Sequence, residues 1–282
     1  MKYIASSLFA LLFLFGCGSD DDATQDQPNL PAQTLTDVSY GPDAEQKLDV
    51  YLPADRTSDT KVFVLVHGGG WTEGSRTDMG YVVPALQAEF PDYAIVNLDY
   101  RLGTDTSPAF PKQIDDIALA IQFIQNAGYQ ISDDYGFIGV SAGAHLSLLY
   151  SYKYDPDHEV KAVCSIVGPT DFTDPAYIGN PVFEYGLTPL IGNVSYDENP
   201  ELFAEVSPAT HVSSEAPVTV MFYGGQDPLI PVSQATRLKS KLDEAGVYNE
   251  YYLYPEGGHG DWDLPTMIDF QTKLIAFFEA RF

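Results

Sequence analysis

The chain has 282 residues and a formal net charge of −26, with 40 Asp and Glu against 14 Lys and Arg. That balance argues against nucleic acid or an anionic membrane surface as a partner. Its two cysteines, Cys17 in an N-terminal leader and Cys164 in an apolar run, provide no structural disulfide, so the fold must rest on its core.

The N-terminal stretch "MKYIASSLFALLFLFGC" places Lys2 ahead of an apolar run from Leu8 to Phe15, followed by Gly16 and Cys17. The run is too short for a stable membrane span and reads as a secretory signal peptide over residues 1–16. Residues 17–34 are polar, acidic and proline-containing, without apolar periodicity, and are expected to form a disordered tether. Within it, Asp20 to Asp22 read as a solvated spacer, because no clustered ligand set accompanies them. Residues 35–282 then form one catalytic-sized α/β domain rather than two small ones.

From Leu35 to Leu52, two strand-like stretches around Gly41-Pro42 predict an antiparallel hairpin. "KVFVLV" (61–66) and "YAIVNL" (93–98) are continuous apolar runs, as expected of strands covered on both faces. The segment 110–128 predicts a helix with Ile114, Ile117, Ala118, Ile121 and Ile124 on one face and Gly128 as its cap. "YGFIGV" (135–140) is the next strand and leads through "SAGAHL" into a helical pattern. Strands at 160–168, 218–225 and 249–256 follow. A helix between the last two carries Val232, Ala235, Leu238, Leu242 and Ala245. The last helix, from Pro265 to Phe282, aligns Met267, Phe270, Leu274 and Phe277. Alternating elements of this kind predict an α/β fold, a mostly parallel central sheet with helices on both faces. One segment breaks the rhythm. Residues 171–212 are rich in Gly, Pro and aromatics, and read as an irregular, lid-like insertion.

In such a sheet, ligands bind beyond the carboxyl ends of the strands. Ser141 stands there in Gly-x-Ser-x-Gly, on a turn sharp enough to expose its hydroxyl, and needs an adjacent base to become a nucleophile. "HGGGW" (67–71) follows the strand 61–66, and the N–H groups of Gly69 and Gly70, with that of Ala142, are placed to face a developing oxyanion. Asp227 in "GGQDPLIP" and His259 in "PEGGHGDW" each follow a predicted strand, giving the chain order Ser, acid, His. Asp171 in "GPTDF" also ends a strand and is the reserve acid. His145, one helical turn after Ser141, is expected to be buried and structural. His67 is expected to brace its loop, while His158 and His211 lack a motif. Asp99 and Arg101 are expected to pair with each other. Trp71, Phe172, Tyr177 and Leu229 are the candidate substrate-binding residues, with Phe183 and Tyr185 as further aromatics that could line a pocket.

Together with "LDYRL" (98–102) and "SPATHVS" (207–213), these motifs resemble the α/β-hydrolase esterases and lipases, in particular bacterial acetyl and feruloyl esterases acting on plant polysaccharides. The resemblance runs from about residue 45 to the C-terminus. It implies an α/β-hydrolase fold and a serine esterase without metal or organic cofactor, with Ser141, Asp227 and His259 as triad and Gly69, Gly70 and Ala142 as oxyanion hole. It implies a small ester or carbohydrate ester as substrate; oligomeric state stays open. Two departures stand out. Too few ordered residues precede His67 for the long helical cap of hormone-sensitive-lipase relatives, and Ala144 replaces a frequent third glycine. Both point away from long-chain lipid substrates. "LFGC" (14–17) resembles a bacterial lipobox, and the acidic triplet resembles a surface-export signal of Gram-negative lipoproteins. The expectation is a protein lipidated at Cys17 and anchored at the outer membrane or cell surface. The alternatives are an arylformamidase-type amidase, a prolyl-oligopeptidase-type peptidase, and a non-catalytic recognition module on the same fold. The first suits the cytosol better than a leader with Cys17. The second normally carries another domain, and the third tends to have lost a triad member.

Overall fold

The computed structural model describes residues 30–104 and 106–282. The expected leader, Cys17 and most of the tether lie outside the described residues. Eight strands form one sheet in the order β1-β2-β4-β3-β5-β6-β7-β8. β1 (Gln33–Ser39) and β2 (Lys47–Leu52) form the expected antiparallel hairpin, at one edge of the sheet, and β2 runs antiparallel to β4 (Ala94–Leu98). From β4 onward the sheet is parallel, through β3 (Val62–Val66), β5 (Tyr135–Val140), β6 (Val160–Ile166), β7 (Val218–Gly224) and β8 (Asn249–Tyr254). This is the α/β-hydrolase fold.

The alternation of the pleat explains why the central strands are apolar throughout. In β3, Val62, Val64 and Val66 face one core, packed with α2 (Lys112–Asn126), α3 (Ala142–Leu149) and α6 (Ser233–Ala245). Phe63 and Leu65 face the other, packed with α1 (Val82–Glu89) and α7 (Leu264–Arg281). Each such side chain, fully buried, contributes about 1.5–3 kcal/mol, and the absence of a polar position in β3 follows from two covered faces.

Local chemistry sets the helix ends. Asp263 caps α7 by accepting from Thr266 N at 2.9 Å, and Gly246 ends α6 in the left-handed region at φ 74°. α2 ends at Asn126, and Gly128 follows it at φ 70°. Its buried face carries Ile114, Ile117, Ile121 and Ile124 as expected, but Ala120 takes the place of Ala118, which is exposed.

Residues 171–212 are more ordered than their composition suggests. They contain α4 (Pro181–Ile191) and α5 (Pro200–Glu205), followed by a short 3-10 turn at Pro208–His211. The prolines that read as loop signals open these helices, where their missing N–H costs nothing. Asn199 caps α5 through Leu202 N. Pro189 inside α4 marks where Pro189 O and Leu190 O turn outward to accept from Ala109 N and Phe110 N, each at 2.9 Å. The helix α1 was not legible in the sequence pattern.

Candidate active site

Parallel pairing brings the relevant loops to one end of the sheet. β3 and β5 are neighbours, with Val66 opposite Gly139, so the loop after β3 and the turn after β5 start side by side. β7 and β8 are neighbours as well, and their loops are stitched by Gly225 N to Tyr254 O (2.8 Å) and Gln226 N to Gly257 O (2.9 Å).

Ser141 stands at the top of β5 at φ 53°, ψ −118°, a strained conformation for a residue with a side chain. The two flanking glycines explain how the turn closes. A Cβ on Gly139 would lie 2.5 Å from Gly143 O, and one on Gly143 would lie 2.2 Å from both Val66 O and His67 O. Small residues here let α3 start directly against the loop after β3.

The structure brings three separated residues together. His259 Nε2 lies 2.9 Å from Ser141 Oγ, and His259 Nδ1 lies 2.7 Å from Asp227 Oδ2. The Asp227 side chain has no solvent exposure, and its other oxygen accepts from Leu229 N (2.8 Å) and Ile230 N (2.9 Å). These two donors lock the orientation of the carboxyl group. An imidazole bonded in this way presents its Nδ1–H to the acid and its bare Nε2 to the hydroxyl, the arrangement needed to take a proton from serine.

Asp171 is elsewhere. It accepts from Arg237 Nε at 2.6 Å and from Thr173, and it makes no contact with His259. The reserve acid is thus a structural residue at the root of the insertion. The expected Asp99–Arg101 pair is also absent. The chain leaves the sheet after Leu98, so the two side chains turn toward different elements. Asp99 pairs with Arg76, which also reaches Asp49 at 3.0 Å and Asp37, while Arg101 pairs with the buried Asp116 at 2.6 Å.

Gly70 and Ala142 line the same cleft as Ser141, and Gly69 precedes Gly70 in the loop after β3. Gly69 and Gly70 have φ of 111° and 54°, and Ala142 is the first residue of α3, where an N–H has no partner within the helix. Among the described residues, no backbone carbonyl takes these three amides. His67 braces the loop as expected. Its Nδ1 lies 2.7 Å from Gly68 O, and its ring stacks on Tyr100 at 4.1 Å, whose hydroxyl donates to His67 O. Burial lowers its pKa, which favours the neutral imidazole. His158 lies exposed in its loop, and His211 Nε2 lies 2.8 Å from Glu205 O; neither approaches the serine.

Above Ser141 opens a cleft of about 270 Å³, and all four candidate binding residues (Trp71, Phe172, Tyr177 and Leu229) line it. Phe183 also lines it; the side chain of Tyr185 lies outside the described residues. Sequence reading missed Gly186 and Leu187 of α4, which also line the cleft. No local pattern marked them, because α4 itself was not legible in the sequence. Among the described residues, no group of three or more His, Cys, Asp or Glu side chains could hold a metal ion.

Fold and site together define an α/β-hydrolase whose site is centred on a serine. A model of the BD-FAE family matches residues 48–242. The chain belongs to the BD-FAE family. It is 31% identical over 239 residues to Esterase LipC of Mycobacterium tuberculosis, covering 79% of this chain but only 59% of LipC, so it spans less than two thirds of that curated relative. Among solved structures, a truncated carbohydrate esterase from gut microbiota has a TM-score of 0.70 at 24% identity, over 88% of this chain and 98% of that one. A bifunctional GH43-CE protein of Bacteroides eggerthii has a TM-score of 0.70 at 27% identity, over 85% of this chain and 38% of that one.

Proposed function

We propose that the chain is a serine esterase that cleaves short acyl groups, acetyl or feruloyl, from carbohydrate. The hydrogen-bonded relay from Asp227 through His259 to Ser141, ending at the floor of the cleft, carries this reading. Ser141 Oγ attacks the acyl carbon as His259 Nε2 takes its proton. The tetrahedral oxyanion accepts from the N–H groups of Gly69, Gly70 and Ala142, each such donor contributing about 3 kcal/mol to barrier lowering. His259 then returns the proton to the departing alcohol, leaving an acyl-serine, and activates water to release the acid. Asp227 holds the imidazole and stabilises its charged form.

The substrate reading is supported by the family and by the similarity to a gut-microbiota protein named a carbohydrate esterase. The cleft, walled by Trp71, Phe172 and Tyr177, lies below the ~300–1,000 Å³ of drug-sized sites. Turnover of 4-nitrophenyl esters from acetyl to octanoyl tests it. Each methylene in a matching groove would add about 0.8 kcal/mol of binding, so an enzyme with a long acyl groove rises steeply in kcat/KM over that series. A fall is expected here, and a rise would replace this reading with a lipase. Ser141→Ala and His259→Ala should each remove nearly all turnover; retained activity in Ser141→Ala would end the covalent mechanism.

The proposal extends to location. The apolar run ending at Cys17, followed by an acidic stretch, supports a lipid-anchored exported enzyme. Fatty-acid labelling of the full chain, lost in Cys17→Ser together with membrane retention, is the expected result. An unlabelled, freely soluble wild-type protein would refute it.

A further inference from the structure

The loop that carries the oxyanion donors is held in a conformation it would not choose. Gly69, Gly70 and Trp71 have three successive positive φ values, 111°, 54° and 66°. For the first two this costs little, but a bulky residue such as Trp71 is strained in the left-handed region. Something must hold it. Its carbonyl accepts from Gly103 N and from Gln113 Nε2, both at 2.8 Å, which fixes the C-terminal side of the residue. Its side chain is fixed by His145.

Trp71 Nε1–H donates to His145 Nδ1 at 3.1 Å. An indole nitrogen can only donate, so Nδ1 is bare and the proton sits on Nε2, which donates to Val206 O at 2.7 Å. The His145 ring has no solvent exposure and meets Trp71 edge-on at 90° and Phe172 at 67°. Val206 follows α5, at the point where the insertion returns to the sheet; there Phe172 N donates to Ser207 Oγ at 2.8 Å and Ala209 N to Thr170 O at 2.9 Å. One imidazole therefore ties the oxyanion loop, the helix α3 that follows Ser141, and the root of the insertion. Burial keeps it neutral, with the pKa lowered to about 4.

We propose that His145 is a positioning residue for catalysis: by clamping the indole of Trp71 it holds the strained Trp71 backbone and so aims the Gly69 and Gly70 amides at the reacting centre. The inference rests on the reading of Ser141 as nucleophile. Its physical content is simple. With Trp71 O held by Gly103 and Gln113, relaxation of φ at Trp71 swings the preceding peptide units, and those units carry the donors. Removing the acceptor at Nδ1 also leaves a buried indole N–H unpaired, which favours that relaxation.

The test compares kcat and KM for 4-nitrophenyl acetate, per active site titrated with a fluorophosphonate, in wild type, His145→Leu, His145→Gln and Trp71→Phe. Gln supplies an amide N–H donor group and a carbonyl acceptor and does not titrate. His145→Leu should lower kcat roughly 10- to 100-fold with KM little changed, the signature of an interaction made in the transition state. His145→Gln should recover most of that loss. Trp71→Phe keeps a ring but loses the N–H and should fall like His145→Leu, with no further loss in the double variant. Wild-type kcat per titrated site in His145→Leu, or a loss confined to KM or to thermal stability, would overturn the proposal. Should the Leu variant not fold, wild-type kcat in Trp71→Phe overturns it equally. Ser141→Ala in the same assay separates the two levels: turnover retained there would remove the esterase reading itself, whereas turnover lost there with an unaffected His145→Leu would remove only the clamp.

Discussion

Gly143→Ala is the substitution whose sign the structure decides. Gly143 lies within α3, and in an open helix the change to Ala stabilises by about 0.5–1 kcal/mol. Here the new Cβ would sit 2.2 Å from Val66 O and 2.2 Å from His67 O, both backbone atoms that cannot rotate away. Ordinary contact needs roughly 1 Å more, so either α3 or the start of the oxyanion loop must move by about that amount. Overpacking of this kind costs about 1–3 kcal/mol, which outweighs the helix gain and should lower Tm by several degrees, at ~2–4 °C per kcal/mol for a domain this size. The larger effect falls on chemistry. Ser141 is two residues from the collision and Gly69 two residues beyond His67, so the shift reaches both the serine turn and the loop after β3. A misplacement of about 1 Å typically costs about 100-fold. The expected result is kcat down about two orders of magnitude on a small activated ester, with a modest fall in Tm, measured by active-site-titrated kinetics and thermal melting. A variant with unchanged kcat and a raised Tm would show that the loop and helix are not in contact, and would undo the account of the turn given above.

Asp227→Asn should lose most activity and Asp171→Asn should keep it, because only Asp227 reaches His259; the reverse outcome in the same ester assay would mean the acid is misassigned. Stability should also carry the signature of buried His145. Its pKa is lowered to about 4 by burial, against 6.5 for the unfolded side chain, so the unfolded state binds the proton first as pH falls. Its contribution is present above pH 6.5 and is lost between 6.5 and 4, by about 3 kcal/mol in all; urea unfolding of wild type against His145→Gln at pH 7 and pH 4 should show the difference narrowing in favour of the variant, and a constant difference would contradict it. Gly186 offers a third check: a Cβ there meets nothing within 4 Å, so Gly186→Ala should raise Tm, while Gly186→Phe should obstruct the cleft and slow bulky aryl esters more than acetyl esters. Equal slowing of both substrates would place the cleft elsewhere.

The strands and their order of chemistry were legible because they obey local rules. A strand covered on both faces must be apolar at every position, so 62–66, 94–98 and 135–140 announced themselves, and Gly-x-Ser-x-Gly, "HGGGW" and the loops bearing Asp227 and His259 were visible as glycine-rich punctuation after such runs. What remained open depended on which loops the sheet brings side by side. Asp171 and Asp227 both follow strands, and only the pairing of β7 with β8 delivers the second to His259. Asp99 and Arg101 are close in sequence, yet each finds its partner on another element, Arg76 and Asp116. The insertion hid α4 and α5 because proline reads as a breaker until its place at a helix start is known. The clamp of His145 on Trp71 joins residues 74 apart in the chain and ends on a carbonyl 61 residues further on. Sequence alone determined which side chains could do the chemistry, since that is a property of residue type and local backbone. Only the tertiary structure decided which of them meet, because hydrogen bonds between distant residues are set by how strands order themselves in the sheet, and no local pattern encodes that order.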